Sequence, residues 1–445
     1  MAGGEMSLVQ EETRVRGEAS LSAIVVRCMA CGRTVPADRP VVQCPDCGGL
    51  LDVELSFPQR MRPSDLAIDL PTTLRQSGVW RYRALLPALP EAAIVSRAEG
   101  NTPIYWDQRL ARYAGLERIG LKHEGQNPTA SFKDRGTTVG VSHAVAVGAR
   151  IVACASTGNT SASLASYAAA AGLAALVLIP EGKIAGGKLA QTIAHGARIV
   201  QVQGDFDTAL ALLRELTANH PVYLVNSVNP FRLEGQKTIV FELLDQLDWQ
   251  VPDVIALPGG NLGNTAAFGK ALSDLYDAGL IDRMPRLATV QAAGAAPFAD
   301  YFASGFDRYR PVVAETVATA IKIGNPASVE RARRAIQLTD GIVTTVADEE
   351  ILDAKAEIDR AGIGCEPASA ASLAGVRRLV REGHVAPDAT VVGILTGHVL
   401  KDADAVVAYH LHDRDGQPRP GANRPVTIPA DQAALERTLA DALHG

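Results

Sequence analysis

The feature that most constrains the fold is an alternation of short apolar segments with helix-forming segments through the middle of the chain. Strands that alternate with helices of about 10–15 residues favour parallel sheets, because each helix returns the chain to the starting edge of the sheet. The sequence therefore predicts an α/β fold. The predicted strands are Arg150–Cys154, Leu173–Ile179, Arg198–Val202, Val222–Val225, Val254–Leu257 and Thr390–Leu395, and the predicted helices between them are Ser161–Ala171, Gly187–His195 and Phe206–Ala218.

Composition excludes several classes of protein. Of 445 residues, 47% are apolar and 21% are charged, which is ordinary globular usage and argues against a disordered chain. Lys and Arg total 43 against 49 acidic residues, a net charge of −6. A protein that binds nucleic acid by neutralising phosphates needs a basic surface, and this composition predicts none.

Neither secretion nor membrane insertion is predicted. The first 20 residues carry six charged side chains and lack the apolar core of a signal peptide. The uncharged stretch 151–180 contains seven Ser, Thr and Asn residues, too many for a bilayer-spanning helix of about 20 predominantly apolar residues. We therefore expect no membrane partner and a cytoplasmic location.

Four of the six cysteines form two Cys-x-x-Cys pairs separated by twelve residues. Each pair is followed by a glycine, Gly32 or Gly48, which allows the tight turn of a metal knuckle. Four thiolates suit a structural Zn²⁺ ion, whereas a catalytic zinc would need an open coordination position. Disulfides, a rubredoxin-like iron site and a redox pair are the alternatives. The predicted metal ligands are Cys28, Cys31, Cys44 and Cys47.

The chain divides by composition into five segments. The small cysteine segment needs a metal to stay folded, because it is too short to bury a core of its own. Five prolines within the next forty residues indicate a connecting segment, and a stretch rich in Pro, Gly and charge precedes a last predicted helix, Ala430–Leu443. The segments are a disordered tail (1–20), a zinc-ribbon-like segment (21–55), a connecting segment (56–95), the α/β core (96–412) and a C-terminal extension (413–445).

Lys133 lies in the segment Asn127–Gly136, among small hydroxyl residues at the predicted start of a helix. The positive potential of a helix N-terminus makes an ammonium easier to deprotonate, so Lys133 is a candidate for forming a Schiff base. The alternative is an ordinary surface lysine that pairs with Asp134.

Two loops after predicted strands have the composition of anion-binding sites. Ser156–Ser161 offers backbone amides and hydroxyls, although N-capping of the following helix would explain part of it. Val254–Thr265 is an apolar strand that enters a Gly-rich turn, as in a phosphate-binding loop. The turn matches neither the dinucleotide motif nor the nucleotide-triphosphate motif, which favours a different phosphate-bearing cofactor.

A last motif, Leu395–His398, follows the predicted strand Thr390–Leu395. Thr396 would lie at the carboxyl end of that strand, where ligands bind in parallel sheets. We expect His398 to be a bystander, and no motif assigns a role to His123, His143 or His195.

Together these motifs, in this order and spacing, resemble threonine synthases, which are pyridoxal-phosphate enzymes. Glu99–Pro103, Asn226–Lys237 and Glu366–Ala371 resemble the same family, over roughly residues 75–410, and longer members also carry a ribbon with two Cys pairs. His398-Val399 departs from the small residue that many members have there. The resemblance implies a two-domain tryptophan-synthase-β-like fold with parallel sheets, two interleaved α/β subdomains (the smaller at about 150–230) and an N-terminal zinc ribbon.

The same resemblance implies a reaction and a set of roles. O-Phospho-L-homoserine and water would give L-threonine and phosphate, with Lys133 bound to pyridoxal 5′-phosphate and acting as the base. Asn159 would lie against the ring hydroxyl and Thr396 against the ring nitrogen. The cofactor phosphate would lie on Gly260, Asn261, Leu262, Gly263, Asn264 and Thr265, and the substrate phosphate on Ser156, Thr157, Asn226 and Arg232, with Lys183 and Lys188 as further candidates.

Other functions remain open from sequence alone. A cysteate-synthase-like enzyme would use O-phosphoserine and sulfite, a threonine-dehydratase-like lyase would release ammonia, and a catalytically silent module would only dock a partner. Arg232 could instead be structural and paired with Glu234 or Glu242. The expected partners are a small phosphorylated amino acid and a second copy of the chain in a homodimer.

Overall fold

Parallel strands form two separate sheets in the computed structural model, which describes residues 21–58, 60–66, 71–182, 186–204 and 206–444. The predicted tail, 1–20, lies outside these residues. The strands are β1 Val25–Cys28, β2 Thr34–Pro36, β3 Leu51–Glu54, β4 Ile104–Trp106, β5 Ile119–His123, β6 Ile151–Ala155, β7 Ala174–Pro180, β8 Arg198–Val202, β9 Val222–Leu224, β10 Val254–Pro258, β11 Arg286–Ala292, β12 Ile342–Val346 and β13 Val391–Leu395.

Helices separate most of these strands, which is the pattern that the sequence predicts. The helices are α1 Thr72–Arg75, α2 Gln108–Ala114, α3 Lys133–Ala146, α4 Asn159–Ala170, α5 Gly186–Ala194, α6 Phe206–Asn219, α7 Pro230–Gln246, α8 Gly263–Asp277, α9 Pro297–Ala303, α10 Val329–Leu338, α11 Asp348–Arg360, α12 Pro367–Arg381, α13 Ala403–Leu411 and α14 Gln432–His444.

The larger sheet has the strand order β12-β11-β10-β13-β5-β4, and only β4 runs antiparallel to its neighbour. The smaller sheet has the order β8-β7-β6-β9 and is parallel throughout. In chain order the smaller sheet lies between β5 and β10 of the larger one. The α/β fold class with parallel sheets is thereby confirmed.

Helices α7 and α8 bury their apolar side chains against the larger sheet, in a core that includes Phe241, Phe268 and Leu257. Helix α12 covers the opposite side of that sheet, where Leu373 packs with Val290. Parallel sheets are buried on both faces, and this core positions the carboxyl ends of β10 and β13 side by side.

The N-terminal ribbon is a three-stranded antiparallel sheet of order β2-β1-β3. The chain forms two compact units, one that runs to Ala403 and one that begins at Asp404. The second unit begins before the predicted C-terminal extension, 413–445, because it also includes most of helix α13. Across the described residues, no helix combines the length and apolarity needed to cross a membrane.

Candidate active site

Lys133 is the first residue of α3, and the loop before it is fixed to the end of β13. The amide of Phe132 donates to the Thr396 carbonyl at 3.0 Å, and the amide of His398 donates to the Ala130 carbonyl at 3.1 Å. Ala130 has a φ of +64°, which turns the chain sharply into the helix. The predicted Lys133 and Thr396 therefore lie in adjoining loops, although they are 263 positions apart in sequence.

Lys133 is not paired with its neighbour Asp134. The Asp134 carboxylate accepts hydrogen bonds from the Thr129 amide and hydroxyl and from the Ser163 hydroxyl, all at 2.6 Å. The Lys133 ammonium instead lies over the Phe132 ring, 3.9 Å from its centroid. The surface ion-pair alternative is therefore wrong, because Asp134 stabilises the loop.

Burial and, to a smaller extent, the nearby Arg232 cation lower the pKa of Lys133 to about 7, while the Glu366 carboxylate opposes the shift. An amine with a pKa near neutrality is half unprotonated at cellular pH. It can then act as a nucleophile towards a carbonyl group or as a proton acceptor.

A buried polar cluster lies at the start of α4 and α12. The Asn159 amide nitrogen lies 3.2 and 3.3 Å from the two oxygens of the Glu366 carboxylate. The Thr396 hydroxyl donates to Glu366 at 3.4 Å and lies 3.0 Å from the Ser369 hydroxyl. The Asn159 amide oxygen is buried and has no hydrogen-bond partner in the described chain. This orientation leaves an acceptor of Asn159 for a ligand group.

The Gly-rich turn between β10 and α8 lies at the carboxyl edge of the larger sheet. Leu262 adopts a left-handed φ of +61°, and a Cβ on Gly260 would lie 3.1 Å from the Ala320 carbonyl oxygen. Asn261 is held by Ser227 and the Ala327 amide, and the Thr265 hydroxyl lies 3.0 Å from that of Thr289. An anion at this turn would therefore meet the backbone amides and the N-terminus of α8.

The Ser156–Ser161 loop connects β6 to α4. The Ser156 hydroxyl accepts from the Gly158 amide at 3.1 Å, and Thr157 is half-buried. The Asn226 side chain uses both of its polar atoms on the backbone of Ala155, at 3.0 Å each. Asn226 thereby joins the end of β6 to the segment that precedes α7.

Arg232 lies in the first turn of α7, which begins because the Asn229 side chain accepts from the amides of Phe231 and Arg232 and Pro230 occupies the first turn. The guanidinium donates to the Val225 carbonyl at 3.3 Å, and its buried Nε has no partner in the described chain. Burial lowers its pKa to about 10, so it stays charged at neutral pH.

The structural alternative for Arg232 is wrong. Glu234 pairs with Lys237 at 2.6 Å, and Glu242 pairs with Lys122 at 2.8 Å and Arg135 at 2.7 Å. Among the described residues, no carboxylate forms an ion pair with Arg232. A buried cation without a counter-ion favours an anionic ligand.

A cavity of about 490 Å³ lies beside the loop that precedes Lys133, between Gly125, Ala130, Gln191, His398 and Lys401. His398 uses its Nδ1 to accept the amide of Leu400, and His123 lies with its ring centroid 6.3 Å from that of His398. The cavity is large enough for a small phosphorylated metabolite.

The four predicted cysteine ligands converge in the ribbon. Their sulfur atoms all lie within 4.8 Å of one another, with Cys28 to Cys47 at 3.5 Å and Cys31 to Cys44 at 3.7 Å. Disulfide sulfurs are about 2.05 Å apart, whereas tetrahedral Zn–S bonds of about 2.3 Å place sulfurs about 3.8 Å apart. Gly32 and Gly48 adopt the left-handed φ values of +74° and +68° that the knuckles require. The donor set fits zinc.

Comparison with known proteins decides the family. A family described as "Pyridoxal-phosphate dependent enzyme" matches residues 95–397. Threonine synthase of Methanocaldococcus jannaschii is 44% identical over 93% of this chain and 98% of its own length. That of Methanosarcina acetivorans is 47% identical over 86% and 93%. The chain belongs to the threonine synthase family of pyridoxal-phosphate-dependent enzymes.

The fold agrees with this family. The crystal structure of Escherichia coli threonine synthase matches with a TM-score of 0.67, covering 94% of this chain and all of that chain at 20% identity. Threonine deaminase isoform 2 from Solanum lycopersicum matches with a TM-score of 0.60, covering 79% and 96% at 18% identity. The predicted tryptophan-synthase-β-like class is confirmed as a pyridoxal-phosphate fold.

The residues present fit pyridoxal phosphate. Among buried polar atoms without a partner in the described chain are Ser131 Oγ, Asn159 Oδ1, Asn264 Oδ1 and Arg232 Nε. Ser131 lies two residues before Lys133, and Arg232 lies close enough to lower the pKa of Lys133. Asn264 is in the first turn of α8. The four atoms are the acceptors and donors that a polar cofactor and its substrate would satisfy.

Lys183 lies outside the described residues, and for Lys188 the structure describes the backbone, within α5, but not the side chain.

Sequence reasoning gave no role to Glu366 or Ser369. Glu366 directly precedes Pro367, the first residue of α12, and so it occupies the N-cap position. Its side chain does not cap the helix and turns into the site instead. The available signal was therefore an acidic residue before a helix-starting proline.

Proposed function

We propose that this chain is a threonine synthase, which converts O-phospho-L-homoserine and water into L-threonine and phosphate with pyridoxal phosphate bound to Lys133. The observation that carries the proposal is the buried guanidinium of Arg232, which lacks a counter-ion among the described residues and lies close enough to lower the pKa of Lys133. A site that combines an amine with a pKa of about 7 and a buried cation without a counter-ion suits a phosphorylated amino acid.

The cofactor, when bound, withdraws electrons from the substrate carbon that loses its proton. Lys133 is the residue that we expect to accept the proton from Cα and then from Cβ, because its pKa of about 7 lets it both accept and release a proton. Asn159 and Thr396 orient the cofactor ring, and the loop Gly260–Thr265 binds its phosphate through backbone amides.

Arg232 binds the substrate phosphate and stabilises its charge as the group leaves Cγ. A guanidinium can donate two parallel hydrogen bonds to a phosphate, and its buried position strengthens each bond. Ser156 and Thr157 supply hydroxyl donors at the end of β6. Asn226 holds this edge through its two bonds to the Ala155 backbone. Lys183 and Lys188 are further candidates.

The deciding experiment measures phosphate release from phosphohomoserine and from O-phosphoserine, each with and without sulfite. A threonine synthase releases phosphate from phosphohomoserine without sulfite and forms threonine. Sulfite-dependent release from O-phosphoserine would identify a cysteate-synthase-like enzyme, and ammonia without phosphate would identify a dehydratase. Absence of turnover with all substrates would favour a silent binding module.

We further propose a homodimer located in the cytoplasm, with a structural zinc in the ribbon. A four-thiolate site requires reduced cysteines, and the cytoplasm supplies that condition. Light scattering of the purified holoenzyme tests the dimer, and cell fractionation tests the location.

A further inference from the structure

The ribbon is linked to the catalytic core by charge. Strand β3 brings Asp52 to within 2.7 Å of the Lys270 ammonium on α8. Lys270 also donates to the Val53 carbonyl and lies 2.7 Å from Glu234 on α7. On the other side of Glu234, Lys237 lies at 2.6 Å. The ribbon thus supplies a carboxylate to an ion-pair network that continues into α7.

The network is neutral when Asp52 is included, if Arg331 is counted with the buried ion pairs and Arg334, an exposed cation near Arg331, is left to the solvent. Its three cations face three carboxylates, and Glu234 and Lys237 are fully buried. Burial opposes ionisation of Asp52, yet the Lys270 cation holds its pKa below the ordinary value. Without Asp52 these groups would carry one uncompensated positive charge beside the buried Lys237 and Arg331, which is costly. The cations are Lys237, Lys270 and Arg331, and the carboxylates are Asp52, Glu234 and Asp274.

Arg331 adds a second link between ribbon and core. Its Nη2 donates to the Leu51 carbonyl in β3, while its buried Nε and Nη1 have no hydrogen-bond partner in the described chain. Asp52 and Glu234 are the carboxylates that offset its charge at longer range. Removal of the Asp52 charge would therefore affect two buried cations together.

Helix α7 connects this cluster to the catalytic site. Glu234 and Arg232 lie two positions apart on α7, and so they point to opposite sides of the helix. The helix packs tightly on α3, because a Cβ on Gly235 would lie 1.9 Å from the Arg135 carbonyl oxygen. A shift of Glu234 would therefore be transmitted to Arg232 and to the helix that carries Lys133.

We propose that the ribbon is a positioning element for the substrate-phosphate site: Asp52 balances the buried charges beneath α7 and thereby holds Arg232 in place. The proposal rests on the function proposed above for Arg232. It assigns the ribbon a role in substrate binding, transmitted over α7, in addition to its own metal-dependent folding.

The test compares Asp52→Asn with the wild-type holoenzyme. We expect faster amide hydrogen exchange in α7, a rise of about five- to tenfold in KM for phosphohomoserine and a smaller change in kcat, with zinc content and cofactor absorbance retained. Glu54→Gln is the matched control, since Glu54 lies on the same strand but pairs with Arg27 of the ribbon itself at 2.6 Å. It should leave exchange and KM unchanged.

A second variant separates charge balance from general destabilisation. Asp52→Asn combined with Lys270→Gln removes one charge of each sign, so α7 exchange and KM should return towards the wild-type values. A double variant no better than Asp52→Asn, or an Asp52→Asn enzyme with wild-type exchange and KM, would overturn the proposal. Failure of the proposed phosphate site would appear separately, as an Arg232→Ala enzyme with unchanged KM. The exchange measurements would then still show whether Asp52 affects α7.

Discussion

The Asn159 amide nitrogen lies 3.2 and 3.3 Å from the two oxygens of the Glu366 carboxylate. This contact joins the first residue of α4, which follows β6 of the smaller sheet, to the residue that precedes α12, which covers the larger sheet. It also fixes which way the Asn159 amide faces, with its oxygen free for a ligand. Glu366 therefore positions a residue that we expect to hold the cofactor ring.

Glu366→Gln should lower kcat because an amide cannot accept at both positions in the way that a carboxylate does. Hydrogen bonds to charged groups contribute about 1.5–3 kcal/mol each, so kcat should fall about 10- to 100-fold. Steady-state kinetics and the cofactor's absorbance band measure the effect. Glu382→Gln, at the other end of α12 and about half exposed, should behave as wild type. An equally active Glu366→Gln enzyme would remove Glu366 from the site.

The reactivity of Lys133 should follow its lowered pKa. Only the neutral amine reacts with pyridoxal phosphate, so capture by the apoenzyme should rise with pH around a midpoint of about 7, rather than near the ordinary 10.5. Arg232→Ala should raise this midpoint, since the Arg232 cation disfavours the protonated amine, and Glu366→Gln should lower it. Borohydride trapping followed by peptide mapping measures the label, which on Lys122 or Lys188 would contradict the assignment.

The ribbon should contain about one zinc ion per chain by metal analysis. Cys28→Ser should release it and lower the melting temperature, because the small sheet loses the bonds that hold its two knuckles together. Cys365→Ala is a suitable control, since Cys365 is buried in the α/β core away from the cluster. Full zinc content in Cys28→Ser, or iron in place of zinc, would contradict this prediction.

The close packing of α3 on α7 makes Gly235 sensitive to substitution. In Gly235→Ala the new methyl group would meet the Arg135 carbonyl at 1.9 Å, and overpacking of this kind costs about 1–3 kcal/mol or more. Thermal or denaturant unfolding of the apoenzyme should show the loss. Gly263→Ala is the control, because its nearest neighbour, Gln236, would lie 3.5 Å away. Equal stability of the two variants would mean that the helices can separate without cost.

The sequence predicted the structure best where the apolar periodicity or the backbone conformation that a turn requires leaves one local structure. The strand Arg198–Val202 was predicted with its exact bounds, and Gly32 and Gly48 adopt the turns that the cysteine spacing required. The strand β5 was not recognised, because it contains Lys122 and His123, which are fully buried only through partners distant in sequence. Burial of charge by long-range pairing has no local pattern.

The same limit applies within the site. Asn226 was expected to contact the substrate from its motif, and the structure uses its amide on the backbone of Ala155. The orientation of Glu366 depends on Asn159 and Thr396, which lie 207 and 30 residues away. The family resemblance placed Lys133 and Thr396 in one site, and their loops adjoin in the structure. The directions of the Glu366 and Asn226 side chains depend instead on tertiary packing.

Substrate phosphate binding should depend on Arg232. Arg232→Ala should raise KM for phosphohomoserine and lower kcat, since the phosphate must be held in the substrate and stabilised as it leaves. The loss of hydrogen bonds to a charged group, about 1.5–3 kcal/mol each, predicts a fall of roughly one to two decades in kcat/KM. Arg232→Lys should recover only part of this loss, because an ammonium restores the charge but not the planar pair of donors.

Cofactor binding should distinguish a role of Arg232 in binding the substrate phosphate from a general role in holding the site together. The backbone turn at Gly260–Thr265 is assigned to the cofactor phosphate, so Arg232→Ala should retain the cofactor's absorbance band at full occupancy. Inorganic phosphate, tested as an inhibitor, should bind more weakly to the variant than to the wild type, because the variant lacks the cation that binds the departing phosphate. An Arg232→Ala enzyme that loses the cofactor, or keeps full activity, would place the substrate phosphate elsewhere, and Lys183 and Lys188 would then be the residues to replace.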